Sequence, residues 1–258
     1  GMMDCKKALV EAEGDFDKAV ENLRKKGQKV AANRADRESS EGAALAKVND
    51  DNTSGVLISV NCETDFVAKN DTFGEFCNQL AKTLVEEPNA DFEAMRTAQI
   101  TKVGENIQIG RKETLEVEGS GLVAAYIHTG AKVGVLAEVG ATKDDTVHHE
   151  SFKSLVKDIT LQIAAANPSA VSREQVDPAL VAKEKEIAAE QFKDKPAQAV
   201  EKIVEGKMEK FYQGICLVDQ GFVKNGELTV KEHLAAVGKE IGDELSIRRF
   251  LRFQVGEG

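Results

Sequence analysis

The sequence predicts an α+β protein. It reads as two related α+β core subdomains with antiparallel sheets, a partial helical module at the N-terminus and an inserted antiparallel helical hairpin. Three observations carry this. Apolar spacing switches from helical to twofold at Ala43. A strand followed by a helix recurs at an offset of 79 residues. A charged helical pair then interrupts the second copy between residues 167 and 212.

Residues 1–27 read as two short helices. Asp4 is the expected N-cap of the first, which runs to about Glu13, and Gly14 takes the left-handed stop conformation. Asp15 caps the second, with Phe16, Val20 and Leu23 on one face and Gly27 at its end. Two such helices cannot bury a core alone, so they read as a three-helix module without its first helix. Residues 28–42 are polar and charged, lack apolar periodicity, and read as a linker with some helical content.

Residues 43–120 form the first predicted core unit. Residues 45–48 are strand-like, NDDNTSG (49–55) is a turn, and GVLISVN (55–61) is a strand with Val56, Ile58 and Val60 on one face. Thr72 and Glu75 fit a capping box ahead of an apolar stripe of Phe73, Phe76, Leu80 and Leu84. A further helix is expected over 92–99, and alternation at Ile107, Ile109, Leu115 and Val117 predicts strand again.

The second unit comprises 121–166 and 213–258. GLVAAYIHTGAKVGVLAEVG (121–140) reads as a hairpin, followed by a helix bearing Phe152, Leu155, Ile159 and Ile163. The 79-residue offset superimposes GVLISV (55–60) on GVLAEV (134–139), and carries the four apolar positions of the first helix onto these four. Asp177 and Pro178 start a helix lined by Leu180, Ile187 and Phe192, which Lys195-Pro196 breaks. Its partner carries Val200, Ile203, Val204 and Phe211. The chain then returns to strand at ICLV (215–218), helix over 229–241 and strand over 245–255.

Composition removes several function classes. The 258 residues hold 34 Lys plus Arg against 44 Asp plus Glu, a net charge of −10, which opposes non-specific nucleic-acid binding. The longest apolar run, 122–127, is far below the ~20 residues of a membrane-spanning helix. Cys5, Cys62, Cys77 and Cys216 form no CxxC pair and read as reduced thilos of a cytosolic-type compartment. No secretory signal is evident, and a chain that starts at Gly1 is expected to be a fragment.

Motifs for chemistry are wanting. GENIQIGRKE (104–113) has five residues between its glycines, not the four of a phosphate loop, and Glu113 where Ser or Thr should bind magnesium. Gly119-Ser120-Gly121 leads into strand, not a helix N-terminus. NDDNTSG lacks the later Glu of a calcium loop. His148 and His149 have no Glu or Cys at ligand spacing and read as a solvated helix end. No cofactor, metal site or catalytic set is expected, and the residues alone point to an interaction protein.

Six segments resemble the elongation factor Ts family, in that family's order. They are MMDCKKALVEAEGDFDKAVENLRKKG (2–27), VNCETDFVAKND (60–71), KVGENIQI (102–109), AYIHTGAKVGVL (125–136), AVEKIVEGKMEKFY (199–212) and RFQVGEG (252–258). The resemblance implies a partial ubiquitin-associated-like module at the N-terminus, a two-part core and an inserted helical hairpin of coiled-coil type. It implies a guanine-nucleotide exchange factor with no chemistry of its own, acting on the GTPase elongation factor Tu. Three departures bear on this: the chain lacks the module's first helix, stops at Gly258, and has GRKE (110–113) where the family commonly carries an arginine pair.

The resemblance assigns Thr64, Asp65, Phe66 and Val67 as an exchange wedge near the GTPase's magnesium and nucleotide. His128, Met2 and Met3 become further partner contacts. On the residues alone, Asp65 caps a turn and Phe66 joins the core, His128 faces solvent, and Met2 and Met3 belong to the truncated module's core. Cys62 reads as a buried thiol, and the hairpin as either a self-association surface or a partner contact. The family's setting is bacterial cytosol, mitochondrial matrix or plastid. A different reading makes the N-terminal helices a helix- or ubiquitin-like-binding adaptor without exchange activity; an unrecognised hydrolase has no motif support.

Overall fold

The computed structural model describes residues 2–257. Helices α1 (Met2–Glu11) and α2 (Phe16–Ala32) precede strands β1 (Glu41–Val48) and β2 (Ser54–Cys62). A one-turn helix α3 (Asp65–Ala68) leads to α4 (Asp71–Glu86), α5 (Glu93–Val103) and β3 (Ile107–Glu116). Strands β4 (Gly121–Ile127) and β5 (Val133–Ala141) and helix α6 (Glu150–Ala166) follow. Helices α7 (Pro178–Glu190) and α8 (Ala197–Ile215) come next, then β6 (Gly221–Phe222), β7 (Asn225–Thr229), α9 (Val230–Ile241) and β8 (Leu245–Gln254). The fold is α+β, with every strand pair antiparallel apart from one isolated bridge.

Two three-stranded sheets, ordered β1-β2-β3 and β4-β5-β8, form the core. The offset maps each middle strand, and the helix after it, onto the other. Phe73, Phe76, Leu80 and Leu84 of α4 pack against Val56, Ile58 and Val60 of β2. Phe152, Leu155, Ile159 and Ile163 of α6 pack against Val135, Ala137 and Val139 of β5. All of these side chains are buried, each of the larger ones worth roughly 1.5–3 kcal/mol. Both middle strands also meet an irregularity where the third strand carries one extra residue: Ile58 and Val60 pair with Lys112 and Ile109, and Glu138 and Val139 with Arg249 and Ile247.

The other faces of the sheets meet in a seam of Ala44, Leu57, Leu115, Val123, Leu136 and Phe253. The repeat explains how they fit. A Cβ on Gly134 would lie 2.8 Å from Leu57 Cδ1, and a Cβ on Gly55 would lie 3.0 Å from Leu136 Cδ2. Each copy's glycine thus makes room for the other copy's leucine. This close approach explains why β2 is buried on both faces rather than one.

On the middle strand of the second sheet, Glu138 is fully buried. It accepts hydrogen bonds from Arg248 Nη1 at 2.9 Å, Arg249 Nε at 2.7 Å and the Glu118 amide at 2.8 Å. Burial pushes its carboxyl upward, but the Glu118 amide and the two guanidiniums outweigh this and hold it below the ordinary carboxylate value.

Several local expectations need correction. Asp4 lies inside α1 rather than capping it, and its carboxylate meets Lys26 Nζ of α2 at 2.6 Å. Gly27 does not end α2, which continues to Ala32; the residue is buried, and its bare Cα lets α2 approach Thr97 and Thr101 of α5. Residues 28–32 are therefore helix and residues 41–42 strand, inside the stretch read as linker. Asn70, not Thr72, caps α4, accepting from the Thr72 amide at 2.8 Å. Residues 215–218 are not strand: α8 runs through Ile215 and a 3-10 turn follows, with one bridge from Ala170 to Cys216. A two-stranded β6–β7 sheet went unread because Phe222 is its only buried side chain.

Other signals hold. Asp15 caps α2 and Gly14 takes φ 86°. Asp177 caps α7 with Pro178 at its first position, and α9 fills the expected 229–241 stretch; the structure adds a capping box there between Thr229 and Glu232. The α7–α8 pair leaves and rejoins the core at a closed base. Leu217 and Val218 donate backbone bonds to Ala170 and Val171, and Arg173 binds Asp219 and Glu209 over the Tyr212 ring.

Candidate partner-binding site

Strand β2 ends at Cys62, and the chain turns through Glu63 and Thr64 into α3. Thr64 is the N-cap, with extended backbone at φ −124° and ψ 154°; its hydroxyl accepts from the Val67 amide at 3.3 Å. Four residues make too short a helix to hold itself, so the turn depends on its surroundings. Val67 and Ala68 pack on the first sheet's core, which fixes the inner face. Phe66 is then directed outward and is 82 % exposed. The core placement that the residues alone suggest for Phe66 is thereby corrected.

A second loop braces the turn from 41 residues away. Glu105 Oε2 accepts from the Glu63 and Thr64 amides at 3.1 and 3.0 Å, and Oε1 accepts from the Thr64 hydroxyl at 2.6 Å. In return Glu63 Oε1 accepts from the Asn106 amide at 2.6 Å. Asn106 is fully buried, and its side-chain amide donates to Arg37 O at 2.8 Å, Ser39 Oγ at 3.1 Å and Ala35 O at 3.3 Å. The Cys62 thiol donates to Thr64 O at 3.3 Å; it is buried, and burial raises its pKa to about 11.

Asp65 is half-buried, and its carboxylate takes Lys69 Nζ at 2.7 Å, one helical turn on. That hydrogen bond holds the carboxyl below the ordinary value, and Lys69 is raised in turn. Asp65 is thus the first helical residue, not the cap of a turn.

His128 stands exposed in the β4–β5 turn, its Nδ1 3.3 Å from the Tyr126 hydroxyl. Ala131 of that turn packs on the cluster that holds Val67 and Ala68, and its carbonyl accepts from the Ala44 amide at 2.7 Å. Lys132 pairs with Glu41 at the start of β1, and Glu41 also acts on Lys69. The structure therefore brings the 64–67 turn and the 128–132 turn to the same end of β1. Met2 and Met3 stand elsewhere, on α1, 89 % and 65 % exposed, with Met2 sharing a shallow apolar surface with Leu9 and Val10.

Local spacing had no means of finding Glu63, Glu105 and Asn106, because their partners are distant in the chain. The one visible signal is that two polar clusters, CETD and GEN, each adjoin a strand. Among the described residues, no group of three or more His, Cys, Asp or Glu side chains is placed to hold a metal ion. Among the described residues, no helix is long and apolar enough to cross a membrane. A mainly apolar groove lies elsewhere, between α2 and α5, lined by Leu23, Val30, Ala94 and Ile100 among others.

The fold and this site define an α+β protein of two packed three-stranded sheets, with helical appendages, that presents a braced aromatic to solvent. Residues 63–257 match the family described as Elongation factor TS. Elongation factor Ts of Nautilia profundicola is 43 % identical over 274 residues, spanning 100 % of this chain and 89 % of the relative. That of Christiangramia forsetii is 44 % identical over 269 residues, spanning 99 % and 93 %. That of Clostridium novyi is 40 % identical over 276 residues, spanning 100 % and 89 %. The chain belongs to the elongation factor Ts family.

Proposed function

We propose that this chain promotes release of GDP from the GTPase elongation factor Tu, so that GTP can rebind. It does so by inserting Asp65 and Phe66 beside the GTPase's magnesium and nucleotide site. The exposure of Phe66 on a turn pinned by five hydrogen bonds and a packed inner face is the observation that carries the reading.

Magnesium and a phosphate loop hold a nucleoside diphosphate through concentrated charge and fixed backbone dipoles. A rigid apolar ring that enters between neighbouring helices gains by leaving water and displaces those ligands without touching the nucleotide. Asp65 fixes the wedge by hydrogen bonding to the partner, for which it must exchange its Lys69 contact. Thr64 and Val67 hold the ring's base. His128 extends the same surface, and Met2 and Met3 add a second, adaptable contact from α1. Nothing in this mechanism makes or breaks a covalent bond.

Exchange then follows from linkage. A factor that weakens nucleotide binding by some ratio is itself weakened by nucleotide in the same ratio. The factor binds empty GTPase best, and incoming nucleotide expels it. We place this action in a bacterial-type cytosol, without nucleic acid, membrane or cofactor as partner. Leu180 and Ile187, half-exposed on α7, make the hairpin the place for any self-association. Release of fluorescently labelled GDP from elongation factor Tu tests the proposal: the chain accelerates it, and an unaccelerated rate rejects it.

A further inference from the structure

We propose that Glu105 is a positioning residue for this exchange, setting the angle at which Asp65 and Phe66 meet the GTPase; the inference rests on the exchange reading above. Both oxygens of its carboxylate are committed to the turn, through the Glu63 and Thr64 amides and the Thr64 hydroxyl. Among the described residues Glu105 forms no ion pair, so its polar bonding serves this turn.

The bonds form a relay. The Thr64 hydroxyl gives its proton to Glu105 and its lone pair to the Val67 amide, so the carboxylate fixes the cap and the cap fixes α3. Glu105 is itself held between two rigid neighbours. Gly104, at φ 80°, ends α5 in the left-handed conformation, and Asn106 is fully buried by its own hydrogen bonds. The brace therefore transmits the position of α5 and β3 to the exposed ring. Without it, Val67 and Ala68 still hold the inner face, but the direction of Phe66 is free to vary. A site built on a loop needs such support from behind.

The test is labelled-GDP release from elongation factor Tu at saturating concentrations of the chain, with Glu105→Ala, Phe66→Ala and the double variant. Far-ultraviolet circular dichroism and melting check folding. Glu105→Ala should lower the saturating rate about tenfold but should slow the Phe66→Ala variant by no more than about threefold, because it acts mainly through that ring and only in lesser part through Asp65. A merely structural role predicts otherwise: a saturating rate within twofold of the unsubstituted chain, or an equal further loss in the Phe66→Ala background, overturns the inference. If Glu105→Ala does not fold, Thr64→Val removes the hydroxyl while keeping the shape. It should slow the saturating rate about threefold, and an unchanged rate overturns the inference equally. An unsubstituted chain that fails to accelerate release sinks the exchange reading itself. A loss in Phe66→Ala with none in Glu105→Ala sinks only the role of Glu105.

Discussion

Leu57 of β2 lies against Gly134 of β5, and the 79-residue offset turns this contact into its own counterpart, Leu136 against Gly55. The two sheets are thus joined by one contact used twice, in opposite senses. A Cβ at position 134 would lie 2.8 Å from Leu57 Cδ1 and 3.3 Å from Ala44 Cβ.

Gly134→Val should therefore destabilise the protein by about 2 kcal/mol through overpacking of the seam. Leu57→Ala alone should cost about 2–4 kcal/mol through the cavity it leaves. Combined, the two should cost less than their sum, because the added methyl groups enter that cavity. Urea unfolding of the single and double variants measures this; strict additivity would show that the two residues do not share space.

Glu138 gives a pH dependence of known sign. Its folded pKa is lowered from the ordinary 4.5, so its contribution is complete above that value and is lost as pH falls through the folded value. Glu138→Gln should cost about 2–3 kcal/mol at neutral pH, since two guanidiniums lose their charge partner. The gap between the parent and variant chains should shrink below about pH 4.5. Urea midpoints across that range check it; a gap that widens on acidification would reverse the assignment.

Thiol reactivity should divide cleanly. Cys5 is exposed, whereas Cys62, Cys77 and Cys216 are buried. Burial raises Cys62 to about 11 and Cys77 to about 12, so neither is a thiolate at neutral pH. An aromatic disulfide reagent should modify Cys5 rapidly in the native chain and the other three only on unfolding. Fast modification of Cys62 would show that the base of the 64–67 turn opens to solvent.

Much of the fold was legible because it rests on local spacing. The stripes Phe73–Leu84 and Phe152–Ile163, and the GVL repeat, announce buried faces in the order of the chain. What was not legible depends on distant partners. Gly27 reads as a helix end, yet α5 takes up the space that its missing side chain leaves. Thr72 with Glu75 satisfies a capping pattern, but Asn70, two residues earlier, reaches the amide first. ICLV (215–218) is apolar enough for a strand, but it is buried as the closing turn of the hairpin's base. At the site, only the resemblance marked Thr64, Asp65, Phe66 and Val67; read alone, the residues put Phe66 in the core, whereas it is exposed. Glu105, 41 residues away, could be recognised only once the two loops were seen together.

The most direct test of the account is the rate at which elongation factor Tu releases labelled GDP in the presence of the Phe66→Ala variant. Phe66 is 82 % exposed, so its removal should change stability by no more than about 0.5 kcal/mol. The account predicts an unaltered melting curve and a release rate reduced tenfold or more, on the order of 1.4 kcal/mol of lost coupling. A variant that folds normally and releases GDP as fast as the parent chain would contradict it.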